Sequence, residues 1–172
     1  MSIATQIASL EAAGKLTRYT PRGRRPAKRR LYLAELALRD LANQSSATNL
    51  LGCRGFVESA LALWTLGERV YGDQNGGRFL KPLDPPPPEI WEIRVTEPVV
   101  QVRLLGRFAE PDTLILIKFY TRQLLGKKGS ANWKSAMAQC DRTWTQLFGT
   151  TQPFSGKTIH NYVTENCDDF PI

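Results

Sequence analysis

The chain has 172 residues, 42% of them hydrophobic and 23% charged, and carries a formal net charge of +7. That is enough for one ordinary core and too little for a second full domain. It has no run of ~18 apolar residues to cross a bilayer. The opening MSIATQIASLEAAGK lacks the apolar stretch of a secretory signal, so an intracellular, cytoplasmic protein with no membrane partner is expected. Cys53, Cys140 and Cys167 are widely spaced and form no CxxC, which gives no basis for a disulfide framework or a zinc site. A single histidine, His160, leaves no material for a multi-histidine metal site.

The charge is uneven. Residues 1–30 hold eight Lys/Arg against Glu11, whereas residues 31–172 hold fifteen of each sign. The stretch TRYTPRGRRPAKRR (17–30) has too little apolar surface to fold alone and is expected to be a disordered arm. Arg22, Arg24, Arg25, Lys28, Arg29 and Arg30 are then candidate nucleic-acid contacts through salt-sensitive phosphate binding. A solubilising or targeting tail is the equal alternative. Before it, residues 3–14 fit a short helix ending at Gly14.

From residue 30 to 44, Leu31, Ala34, Leu38 and Leu41 form an amphipathic stripe, although RLYLAEL also reads as a strand. GFVESALALWTLGERVYG (55–72) reads as a helix with Phe56, Ala60, Leu63, Trp64 and Val70 inward. DQNGGRF (73–79) reads as loop, and DPPPP (84–88) as a stiff extended spacer. Three strands follow with a two-residue period. EIWEIRV (89–95) turns Glu92 and Arg94 to one side, VVQVRLL (99–105) turns Gln101 and Arg103 outward, and TLILIKFY (113–120) buries Ile115, Ile117 and Phe119 and presents Lys118 and Tyr120. Short connections favour an antiparallel meander, so Arg94, Arg103, Lys118 and Tyr120 should share one sheet face. Residues 124–130 read as loop and 130–149 as a helix with Ser130 as cap and Gly149 at its end. The tail 150–172 shows no period. The expected organisation is an arm (1–30), an α+β domain (31–149) with helices packed on an antiparallel meander and a C-terminal helix, and a tail (150–172).

The succession GRFLKPLDPPPPEIWEIRV (77–95), VQVRLL (100–105), LILIKFYTR (114–122) and the helix around AMAQCDRTW (136–144) resembles the RelE/HigB superfamily of bacterial toxin–antitoxin systems, in particular its phage-derived host-inhibition branch. The resemblance covers roughly residues 56–148. It implies a RelE-like fold and a metal-independent endoribonuclease on mRNA, ribosome-dependent or free, needing no cofactor and silenced by a cognate antitoxin protein. In such enzymes the ribose 2′-OH attacks the adjacent phosphate, leaving a 2′,3′-cyclic phosphate and a 5′-OH. Arg103 matches the central arginine of the second family strand and is expected on the scissile phosphate. Arg94 matches the arginine closing the first strand, where pairing with Glu92 competes with catalysis. Lys118 and Tyr120 would add a cation and a phenol. The family's paired lysines are replaced by Thr121-Arg122 and its histidine position by Ile117, so Tyr120, Arg122, Lys127 or Lys128 would have to move the proton. Arg107 follows Gly106, a candidate bulge, and with Lys127 and Lys128 is a further candidate nucleic-acid contact. Two other readings stay open: a non-cleaving relative that binds nucleic acid or inhibits a host enzyme, and a protein-interaction module.

Overall fold

The computed structural model describes residues 1–44, 49–50, 52–70, 79–83, 89–97 and 100–168. Its centre is one sheet of six strands: β1 (Leu16–Arg18), β2 (Arg30–Ala34), β3 (Leu80–Pro82), β4 (Trp91–Val95), β5 (Val102–Glu110) and β6 (Thr113–Thr121). The spatial order is β1-β2-β6-β5-β4-β3. β4, β5 and β6 form the antiparallel meander that the alternating pattern implies, and β3 and β1 extend the sheet antiparallel at its two edges. β2 runs parallel to β6. A parallel pair requires a crossover, and the connection after β2 contains α2 (Glu35–Leu41) and α3 (Arg54–Thr65). α1 (Ile3–Ala12), α4 (Arg122–Leu125), α5 (Ala131–Phe148) and α6 (Ile159–Tyr162) complete the mixed α+β fold.

Both sheet faces are buried. One packs Leu31, Leu33, Ile93, Leu104, Phe108 and Phe119 against Trp64 of α3 and Tyr162 of α6. The other packs Tyr32, Leu105, Ile115 and Ile117 against Ile7 of α1 and Trp133, Cys140 and Trp144 of α5. This corrects the expectation that Ile115, Ile117 and Phe119 share a face. Leu105 pairs with Lys118 and Gly106 with Leu116, so Ile117 is an extra residue in β6 and the alternation flips there. Asp40 of α2, wholly buried, holds the irregularity by accepting from Lys118 Nζ at 2.5 Å and from the Phe119 amide at 2.9 Å. Gly106 has to be glycine: a Cβ there would lie 2.3 Å from the Ile115 carbonyl oxygen.

The segment expected as a disordered arm is folded into the body. Ser2 caps α1 by accepting from the Thr5 amide at 3.2 Å, and β1 pairs with β2. Arg29 is 3% exposed; it donates to the carbonyls of Glu68 (3.0 Å) and Glu165 (2.6 Å) and lies 5.0 Å from the Trp64 ring centroid. Arg25 pairs with Glu68 at 2.7 Å, and Arg30 with Glu110. Composition pointed to disorder because the stabilising partners are supplied by distant segments.

The ambiguous stretch 30–44 contains both candidates, a strand followed by a helix. In α3 the buried side is Val57, Ala60, Leu61 and Trp64, and Phe56 is exposed. The tail after residue 149 is a packed strap: Phe154 donates its amide to the Phe108 carbonyl, and the Tyr162 ring meets Trp91 and Phe108 at 4.5 and 5.1 Å. The proline spacer 84–88 and residues 71–78 lie outside the described residues.

Candidate active site

Strand register brings part of the expected polar face together. Arg94 of β4 stands opposite Arg103 of β5, and Arg103 opposite Tyr120 of β6; one row over, Lys81 stands opposite Glu92, and Leu105 lies between Glu92 and Lys118. At the meander end where β6 passes into α4, Glu92, Arg94 and Arg103 floor a cleft of about 310 Å³ that Lys81, Arg122 and Lys128 also line, with Leu83, Leu125 and Trp133 as its apolar wall.

Glu92 is the carboxylate among five cations lining this cleft. Its Oε1 lies 3.4 Å from Arg94 Nε and its Oε2 3.5 Å from Arg103 Nε. Only 5% of the residue is exposed. Burial raises its pKa above the ordinary 4.5, while Arg103, Arg94, Lys81 and Arg122 pull it back down. The site thus combines a carboxyl ready to accept a proton with a fixed positive field, the two things an in-line displacement at phosphorus uses.

Arg103 is sealed beneath the cleft at 2% exposure, donating through Nη1 to the Val102 carbonyl at 3.1 Å and through Nη2 to Gln101 Oε1 at 3.0 Å. Burial lowers its pKa and Glu92 holds it up. With Nε turned to Glu92 and both terminal nitrogens engaged, it is placed to orient the carboxylate. Arg94 lines the cleft with its side chain 20% exposed. Arg122, Lys127 and Lys128 are exposed around the α4–α5 turn, where Arg122 also donates to the Gly126 carbonyl. Thr121 caps α4 by accepting from the Leu124 amide at 3.2 Å, which sets Arg122 at the helix start beside the floor.

Other expected residues stand elsewhere. Lys118 is held by Asp40, 5.9 Å from the Tyr120 ring centroid, and neither lines the cleft. Burial raises the Tyr120 pKa, chiefly by desolvation, well above the usual range, leaving its phenol protonated. Arg107 stays on the same sheet face as Arg103, because the extra residue is on β6, but lies 3% exposed under α5, bonded to Asp141 at 3.0 Å and 5.9 Å from the Trp144 ring centroid. That buried position does not suit it to a nucleic-acid contact. Arg22, Arg24 and Lys28 are exposed on the β1–β2 connection, and Arg25, Arg29 and Arg30 are engaged with acids or carbonyls as above.

Lys81 and Trp133 as cleft residues, and Glu92 as a proton acceptor, are not apparent from the sequence. The signal for Glu92 was its strand parity with Arg94, which puts it on the arginine face; burial, which perturbs its pKa, is not visible in a sequence. No group of three His, Cys, Asp or Glu side chains that could hold a metal converges among the described residues. His160 lies in α6 and is not part of the cleft. Among the described residues, no helix is long and apolar enough to cross a membrane.

Comparison with protein-family models, with curated proteins and with solved structures finds no match to this chain.

Proposed function

We propose that this chain is an RNA-cleaving toxin of the RelE/HigB kind, acting on mRNA either free or on the ribosome and held silent by an antitoxin. The observation that carries this reading is the buried Glu92 carboxylate between Arg94 and Arg103, on the floor of a cleft rimmed by Lys81, Arg122 and Lys128. In this reading Glu92 takes the ribose 2′-OH proton, the 2′-oxygen attacks phosphorus and the 5′-oxygen leaves with a proton from the Lys128 ammonium. The products are a 2′,3′-cyclic phosphate and a 5′-OH. Arg94 and Arg122 receive the charge that gathers on the non-bridging oxygens, and Arg103 acts as a positioning residue for Glu92. A positioned base typically contributes ~10²–10⁴-fold.

The test is induced expression of the wild type and of Glu92→Gln, scored for growth and for new 5′ ends in cellular RNA. Growth arrest with new 5′ ends in the wild type and neither in the variant supports the reading. A second reading, binding of RNA without cleavage, is favoured by the full engagement of the Arg103 guanidinium. It predicts RNA retention by the wild type with no new ends.

A further inference from the structure

Beside the cleft lies a second, larger pocket of about 650 Å³, lined by Val100, Gln101, Thr121, Arg122, Gln123 and Lys127, with Gly126 at its edge. Arg122 belongs to both walls. We infer that this pocket is a nucleobase subsite, receiving the base next to the phosphate held in the cleft, with Gln101 as the residue that reads the base edge; the inference rests on the phosphodiester reading of that cleft.

Three observations carry it. Arg103 has donors only, so the Gln101 atom facing its Nη2 at 3.0 Å must be the amide oxygen. That bond fixes the amide, and Gln101 Nε2 then has two N–H donors with no acceptor among the described residues. The Gln101 carbonyl accepts from the Arg122 amide at 2.8 Å, which couples the base-reading residue to the cation shared with the phosphate cleft. Val100 is 47% exposed, an apolar surface at the pocket where a base can lie flat while its edge meets Gln101. A donor pair at this place suits a base presenting acceptors, such as guanine through O6 and N7 or uracil through O4.

The experiment titrates the full chain, by calorimetry, with inorganic phosphate and with each of the four ribonucleoside 3′-monophosphates. For the wild type, guanosine or uridine 3′-monophosphate should bind roughly tenfold more tightly than phosphate, the worth of a hydrogen bond and an apolar contact together. Gln101→Glu keeps an acceptor for Arg103 and replaces the donors. Its added charge weakens all the ligands alike, so the ratio of nucleotide to phosphate affinity isolates the base: the guanosine or uridine gain should vanish and the order should turn toward adenosine and cytidine, whose edges donate. Val100→Ser should shrink the gain for every base. Nucleotides no tighter than phosphate in the wild type, or a gain and order unchanged in both variants, would overturn the subsite. Failure of phosphate and every nucleotide to bind would overturn the reading of the cleft itself, and the subsite with it.

Discussion

Glu92 and Arg103 divide function from stability in opposite directions. The folded-state pKa of Glu92 is raised above its ordinary value, so the protonated form is the one favoured by folding. Its contribution to stability is fully present below about pH 4.5 and is lost as the pH rises through the raised value. Glu92→Gln imitates the protonated form. We predict that at pH 7 its melting temperature equals or exceeds that of the wild type, that the difference disappears below about pH 4.5, and that RNA cleavage falls by ~10²-fold or more. Thermal melts across the pH range and a cleavage assay check both halves. Arg103→Ala behaves otherwise: it strips a buried partner from Glu92, and urea unfolding should show a loss of about 3 kcal/mol. Arg122→Ala, at an exposed position, should leave unfolding unchanged while weakening RNA binding. A nuclease assay on Arg103→Ala alone would therefore mix unfolding with chemistry.

At the scale of elements, the irregular junction between β5 and β6 decides which side chains reach the cleft. Gly106→Ala would force a Cβ against the Ile115 carbonyl and should cost about 3 kcal/mol, the upper end for overpacking, read from denaturant midpoints. The meander was legible because Trp91, Ile93, Val102 and Leu104 alternate with polar residues and the connection at residues 111–112 is short. The flip at Ile117 was not, since an extra residue changes no composition and Asp40, which holds it, is 78 positions away from Lys118. The long helix 131–148 could be read from its caps, Ser130 and Gly149. The strap could not, because Phe154, Ile159 and Tyr162 are spaced to fit a ready-made surface of Trp91 and Phe108 and follow no period of their own. Ending the chain at Gly149 removes the buried Ile159, Tyr162 and Val163 with the half-buried Phe154, a fully buried side chain of this size being worth ~1.5–3 kcal/mol. Together they rival a whole domain's stability, so the shortened chain should lose its cooperative thermal transition.

For the whole molecule, the basic segment 17–30 is the seat of the charge excess, yet it is packed on the body and is not the free arm its composition suggests. Arg30 stands opposite Thr113, at the start of β6, whereas the cleft floor lies level with Lys118 and Tyr120, toward the strand's end. Arg22, Arg24 and Lys28 are thus displaced roughly 20 Å along the strand direction from the cleft floor. They fit a remote phosphate contact that adds affinity without chemistry. Replacing all three by Ala should lower the log–log salt slope of single-stranded RNA binding by at most ~2 and leave the melting temperature and cleavage at saturating RNA unchanged. Deleting residues 1–30 would not test this, because it removes β1 and the buried Arg29 as well.

In the proposed reaction the Glu92 cleft cleaves RNA by internal attack of the 2′-oxygen. Its most direct measurement is the chemistry of the ends formed when wild type and Glu92→Gln meet an mRNA, alone and on translating ribosomes, in excess chelator. The wild type should leave 5′-OH and 2′,3′-cyclic phosphate ends, with Glu92→Gln reduced at least ~10²-fold while still binding the RNA. Equal cleavage by the two proteins, 3′-OH ends, or no cleavage by the wild type in either setting would contradict it.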